Sequence, residues 1–432
     1  MTDGRVKRIV YLLIIINFQL FNICYLMFIK HSRTIIFYLM MLIVLVGCSS
    51  SDSELTHDTA QIDTLSTGEI IILNSGDPIW ETEDMWIITE QSRYGTGVGS
   101  DSILFGQIRS FDVDSQGQLF VLDAMTQEIY IYDVDGNLNR TVGGQGSGPQ
   151  EFTNAVSAEI ASNGEIWVVE MVQGRLTILD SGGDYLRSQR LNTTGRSYSF
   201  YPGGFDWQDR YNALIFQQGD QEIMPKQLLV RFDENTIPLD TIDVPENPQE
   251  MDFFTLSDDA EGRQMNLMVS IPFQGSFQWI FSPNGTLWTL FTGTYELVEK
   301  TTDGNILRKA SKSFEPIAVT SSELEDTRQR LNWFVEQGGK LDMSRIPRHK
   351  PVARSFFGDD QGYLWVILTD SIGEDGVTMV DIFNSEGFFL GNVELPFSLS
   401  SNYDPIVLDE VFYGIIEGED GGQEIVKASI QK

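Results

Sequence analysis

Short runs of alternating apolar and polar residues recur through most of the chain, and their spacing is regular. Gly117 is followed by Leu119-Phe120-Val121, Asp123, Ile129, Ile131, Asp133 and Gly136. The same grammar returns 47 residues later as Gly164, Ile166-Trp167-Val168, Glu170, Leu176, Ile178, Asp180 and Gly183. Upstream, "YGTGVGSDSILF" (94–105) stands at the same offset from "TVGGQGSGPQEF" (141–152). Period-two alternation between glycine turns predicts strands, and so many coincidences at one offset make an internal repeat. The unit recurs at Gly285-Thr286-Leu287-Trp288 with Gly304, and at Gly362-Tyr363-Leu364-Trp365 with Gly387. A degenerate copy, "DRYNALIF" with "QLLVRFDENT", covers 209–216 and 227–236, and a partial one runs from Val411 to Ile430.

Four short strands per unit of about 40–50 residues predict a propeller blade. Six units predict an all-β, six-bladed β-propeller of four-stranded antiparallel blades. The last unit lacks a fourth strand, which Met85–Thr89 ("MWIIT") can supply, closing the ring with both chain ends and removing the exposed edges. The glycine loop at 141–152 then joins the outer strand of one blade to the inner strand of the next. A phosphate-holding loop would lead into a helix and, for nucleotides, carry Gly-Lys-Ser/Thr. Here Pro149 and an alternating strand follow, without a lysine.

"VGGQGSGPQEF" followed by an apolar strand and "SNGEIWVVE" resembles the NHL-like six-bladed propellers, and most of all their bacterial extracytoplasmic lipoprotein members. The likeness spans about 85–430 and is clearest at 94–190. It departs in the third unit, which lacks both turn glycines, and in an insertion at 315–353 before the fifth. Within that insertion "TSSELEDTRQRLNWFVEQGG" predicts a short helix, with Ser322 as N-cap and Gly338-Gly339 as its stop. Leu324, Leu331, Phe334 and Val335 form its apolar side, either packed on the propeller or serving as a lid. A basic cluster follows: Arg345, Arg348, His349, Lys350 and Arg354. It suits an anionic ligand or local carboxylate partners.

The N-terminus has a different pattern. Ile9–Ile29 is nearly unbroken apolar sequence, long enough to span a bilayer. After Lys30-His31-Ser32-Arg33, a second apolar run, Ile35–Val46, ends in Leu45-Val46-Gly47-Cys48 and three serines. A basic region, a short apolar region and a small residue before the cut form a secretory signal. "LVGC" resembles the bacterial lipobox, whose cysteine is acylated after cleavage. Residues 1–47 are therefore expected to be a leader, of which 1–26 reads as a start placed too early, since Met27 begins a complete signal. The rival is a transmembrane helix at 9–29. Residues 48–67 read as a flexible tether and 68–432 as the propeller. Lipidated Cys48 would hold the protein outside the cytoplasm, on the cell envelope, as at the outer membrane of a Gram-negative bacterium. The only other cysteine, Cys24, lies before the cut, so no disulfide is expected.

With 62 acidic and 29 basic residues, the chain carries a net charge of −33. Such a surface repels phosphate backbones, which excludes nucleic acid as a partner. Two histidines follow the leader, His57 and His349, which rules out a multi-histidine zinc site. "DVDSQGQLFVLD" (112–123) mimics a calcium loop but lacks flanking helices, and its repeat partner loses the acids, so it reads as a β-turn. No cofactor is called for, though carboxylate-bound Ca²⁺ stays open. No G-x-S-x-G elbow is present. By the resemblance, ligands meet the face built from the loops between second and third strands and from the inter-blade loops. The candidates there are Asp123, Glu170, Tyr295 and Asp370, with Arg348 and His349 from the insertion. Binding of a small molecule, glycan, peptide or partner protein is the first expectation. A carboxylate-metal lyase or hydrolase and a structural envelope subunit are the alternatives.

Overall fold

A computed structural model describes residues 59–97, 103–170, 174–191, 197–198, 204–217, 226–249, 251–258, 265–369, 377–400, 403–418 and 421–432. The leader and Cys48 lie outside these. The described chain is a six-bladed β-propeller. Blade I comprises Ile108–Val113, Leu119–Asp123, Glu128–Tyr132 and Leu138–Gly143; blade II, Ala155–Ile160, Ile166–Glu170, Arg175–Leu179 and Tyr185–Arg190. Blade III has Tyr211–Gln217, Lys226–Phe232 and Pro238–Asp243, with its first strand broken into Ser197–Tyr198 and Gly204–Phe205. Blade IV comprises Phe277–Phe281, Leu287–Phe291, Glu296–Lys300 and Ile306–Lys312; blade V, Ala353–Gly358, Leu364–Leu368, Thr378–Phe383 and Phe389–Leu395. Blade VI joins Ile406–Leu408, Val411–Glu417 and Gln423–Gln431 to Ile87–Tyr94 from the opposite end of the chain. The fourth strand expected from 85–89 is thus present and longer.

Each pair of neighbouring blades shares one apolar core, and there are six such cores. Phe120, Leu122 and Ile131 of blade I meet Ile166 and Val168 of blade II. Trp365 and Ile382 of blade V meet Phe412 and Val426 of blade VI. Tyr413 and Ile425 of blade VI close the circle on Val121 and Tyr132 of blade I. Second and third strands are buried on both faces, which explains their near-continuous apolar sequence.

The D-x-x-G turns carry the register. Gly117 adopts φ 77° and donates to the Asp114 carbonyl, while the Asp114 carboxylate accepts from the Gln116 and Gln118 amides. This is a type I turn closed by a left-handed residue, the geometry that favours glycine. In blade III the same positions are held by Asp209 (φ 57°) and Thr236 (φ 59°), which explains how that blade keeps its turns without glycines. The glycine loops bring backbone against a buried ring. A Cβ on Gly143 would stand 2.6 Å from Phe152, and one on Gly95 2.3 Å from Phe105.

Three features depart from the sequence reading. Ala60–Thr64, inside the expected tether, is a strand. It forms a hairpin with Ile70–Asn74, which pairs in parallel with the outer strand of blade IV. Only Ala60 of this strand is buried, so backbone pairing rather than an apolar pattern holds it. Second, the helix α1, Ser321–Arg330, is capped by Thr320, not Ser322. Thr320 and Glu323 form a reciprocal capping box, because the glutamate stands three residues after the threonine. Third, α1 and the short α2 (Asn332–Glu336) pack on a hairpin, Phe253–Asp258 with Met265–Ser270, inserted after blade III. Phe254, Ile271, Phe334 and Ile346 form the centre of this satellite core.

Candidate functional site

The first strands of the blades surround the axis, and side chains stitch them together. Ser110 and Asp112 of blade I accept from the amides of Ala158 and Ile160 in blade II. Gln278 of blade IV donates to the Arg354 carbonyl and accepts from the Phe356 amide in blade V. The Tyr403 hydroxyl, before blade VI, donates to the Ile108 carbonyl at 2.6 Å. In blades I, II and V a β-bulge falls at the second residue of this strand, at Arg109, Val156 and Arg354. A bulge re-aims its side chain and is common beside functional sites.

Between blades III and IV lies a cavity of about 810 Å³. Leu214 and Leu229 form one wall, and Phe277, Gln278, Trp279 and Ile280 the other. Val244–Asn247, Phe356 and Asp404 complete it, so it runs inward to the first strands of blades V and VI. Most of these residues lie near the ends of strands that lead into the second–third loops and inter-blade connections, the face expected for ligands. All five residues of Phe277–Phe281 are half-buried, whereas Ile166–Glu170 and Leu287–Phe291 are buried throughout. Among the described residues, the shared core here has four buried residues, against eleven to eighteen at the other junctions. Apolar Leu214, Leu229, Phe277 and Trp279 share the lining with Gln227, Glu246, Asn247, Gln278 and Asp404, so the wall offers both an apolar surface and polar groups that could orient a small molecule.

Acidic groups around the axis are shifted by burial. Asp112 is pushed up to about 6, mainly by loss of solvent, against the pull of the Ile160 and Val113 amides. Glu159 is raised well above its ordinary value by burial and by the neighbouring Asp112 charge. Burial alone raises Asp404. Burial alone lowers Arg354.

The residues singled out by sequence separate into three groups. Asp123 and Glu170 are buried, and their carboxylates clamp the chain entering their own blades. Asp123 accepts from the amides of Gly106, Gln107 and Met125. Glu170 accepts from the Thr153 amide, the Thr177 hydroxyl and Arg175. Tyr295 is also buried. Its hydroxyl donates to Asp381, which Lys312 Nζ meets at 2.5 Å, forming a lock between blades IV and V. Arg348 and His349 are exposed on the insertion, where the Arg348 carbonyl accepts from Val319 and His349 bridges Ala318. Asp370 lies outside the described residues. The basic cluster disperses: Arg345 pairs with Asp252, Lys350 with Glu323 at 2.7 Å, and Arg354 enters blade V. Lys350 and Thr320 hold the Glu323 carboxyl down to about 2. The calcium-loop mimic is a hairpin turn. Among the described residues, no three His, Cys, Asp or Glu side chains are grouped to hold a metal.

Sequence reading missed the cavity walls. "SFQWIFS" looks like any inner strand, and only its neighbours leave it open. One signal was present: the two segments lining the cavity, 244–247 and 277–280, are the ends of the stretch that interrupts the repeat between blades III and IV.

Comparison with known proteins gives the fold. The DUF5128 family, described as a 6-bladed beta-propeller, matches residues 98–243. No curated protein matches the sequence. Among solved structures, a Bacteroides fragilis protein described as exported is 15% identical, with a TM-score of 0.46 over 84% of this chain and 100% of its own. A DUF4221 member from Bacteroides vulgatus is 12% identical, with a TM-score of 0.46 over 87% and 100%. Virginiamycin B lyase from Staphylococcus aureus is 11% identical, with a TM-score of 0.42 over 80% and 99%. No activity passes to this chain from such likenesses.

Proposed function

We propose that this protein is a lipid-anchored, extracytoplasmic propeller of the NHL-like kind that binds a small organic ligand in the cavity between blades III and IV. The carrying observation is the half-buried aromatic strand Phe277–Phe281 facing about 810 Å³ of space between two blades. Anchoring rests on the "LVGC" sequence at 45–48.

The uncharged fluorophore N-phenyl-1-naphthylamine tests the cavity. The wild-type protein should brighten it saturably, and Trp279→Ala should weaken that binding about tenfold, the order expected from losing one large apolar contact. Equal binding by wild type and W279A, with the fold intact by circular dichroism, would refute the site. Cys48→Ala tests the anchor. It should move the protein from the membrane fraction to the soluble one, and retention would favour the helix at 9–29.

A further inference from the structure

The cavity between blades III and IV has a sign of charge. Its described lining holds two ionisable side chains, Glu246 and Asp404, and both are acids. No lysine, arginine or histidine stands among the described lining residues. The two acids come from separate parts of the chain. Glu246 follows the last strand of blade III, whereas Asp404 precedes the first strand of blade VI. Blade VI stands opposite blade III in a ring of six, so a space lined by both reaches the axis.

Asp404 combines two properties that rarely meet. It is exposed, yet the protein around it displaces enough bulk water to raise its carboxyl, and loss of solvent is the sole cause. Both hold for a group on the wall of a deep recess. Among the described residues, no lysine or arginine offsets the shift. A carboxylate so placed gains most from a cation that enters the recess and stays beside it. The rest of the wall suits an organic body. Phe277 and Trp279 lie two residues apart on one strand, and the Trp279 ring is steadied by Phe281, with centroids 5.8 Å apart and planes nearly perpendicular. Aromatic faces attract cations as well as apolar groups. A bare metal ion fits poorly: among the described residues no three His, Cys, Asp or Glu side chains gather around one point, whereas hard cations take six or more oxygens.

We infer that the ligand of this cavity is an organic cation, a protonated amine with an aryl or alkyl body. Its ammonium meets the Asp404 carboxylate, and its body lies on Phe277 and Trp279, with Glu246 adding a second negative charge to the lining. This rests on the cavity being the binding site. An ammonium–carboxylate bond is charge-assisted and gains strength where water is scarce. The surplus of 62 acidic over 29 basic residues draws cations toward the protein and speeds encounter.

Two fluorophores with the same dansyl body make the test. Dansylcadaverine ends in a primary ammonium; N-pentyl dansylamide has the same arm without it. On the full chain, in about 0.15 M salt to screen scattered surface charge, dansylcadaverine should bind more tightly than the neutral probe. Asp404→Asn should weaken dansylcadaverine about tenfold, as for a lost charge-assisted bond, and leave the neutral probe within about twofold. General acidity cannot produce that selectivity, because the variant removes one acid of 62. Asp404→Glu, which keeps the charge on a longer arm, should retain part of the preference. Trp279→Ala should weaken both probes. If W279A weakens both while D404N leaves their ratio unchanged, the cation inference is wrong and the cavity stands. If W279A changes neither, the cavity reading itself fails. Near-ultraviolet circular dichroism identifies any variant that has lost its packing. Equal binding of the two probes by the wild-type protein would overturn the proposal whatever the variants do.

Discussion

The junctions between blades I and II and between blades III and IV use the same architecture and fill it differently. At the first, two units repeating at a 47-residue offset meet, and Phe120, Leu122, Phe152 and Ile166 interlock with almost no solvent access. At the second, the most diverged unit meets one that follows an inserted hairpin. Its turn end is closed: Trp207 lies against Gly285, with Arg210 and Arg231 over its ring at 5.5 and 5.8 Å. Its other end is hollow. Regular repeats build complementary faces by construction, because each sheet was shaped against its own likeness. Where the repeat degenerates, the face loses its match, and the ring gains a recess without losing its closure.

That contrast can be broken most sharply by truncation. Phe152→Ala should cost about 3–5 kcal/mol in urea unfolding, as for a sealed aromatic in a tight core. Trp279→Ala, a larger deletion, should cost only about 1 kcal/mol, because its ring already borders space. Similar losses for the two would mean that the III–IV junction is as well packed as the first.

An intermediate effect comes from the acids of blades I and II. Asp112 and Glu159 have raised values in the fold and ordinary ones, near 4, when unfolded. Folding therefore takes up protons, and its stability is greatest below about pH 4 with respect to these two groups. It should fall as pH rises from about 4 through about 6, by about 3 kcal/mol for Asp112. Asp112→Asn should flatten that part of the profile, measured by urea midpoints between pH 4.5 and 7.5. An unchanged slope would show that the pair is better solvated than its position implies.

The smallest effect should come from filling the recess. Leu214→Phe adds bulk to a cavity wall and should raise stability by no more than about 1 kcal/mol while reducing N-phenyl-1-naphthylamine binding. Stabilisation with undiminished binding would place the probe elsewhere.

The propeller was legible because its signal is redundant. Turn glycines at 117, 136, 164 and 183 report a backbone that needs positive φ, and alternation reports sheets buried on both sides. Closure by 85–89 was legible for a related reason: a blade short of one strand implies where the missing one comes from. The site was not legible, because its candidates were ranked by charge and loop position. Asp123 and Glu170 stood out as acids at strand ends, yet a carboxylate there is the acceptor that incoming backbone amides require. Sequence shows that a residue can ionise and does not show which donors surround it. The five clustered bases were visible in the sequence, but only the structure shows that they disperse, with Arg345 on Asp252 and Lys350 on Glu323. The early strand at 60–64 escaped because an edge held by backbone pairing leaves little trace in hydropathy.

Blade VI has a temporal consequence. Its outermost strand, Ile87–Tyr94, precedes the other five blades along the chain, and the partner that receives it, Gln423–Gln431, follows them. The first of these must wait unpaired while five blades assemble. The circle cannot be fastened until the second has emerged, and a chain cut before Gln423 should leave an open arc with a bare seam at each end.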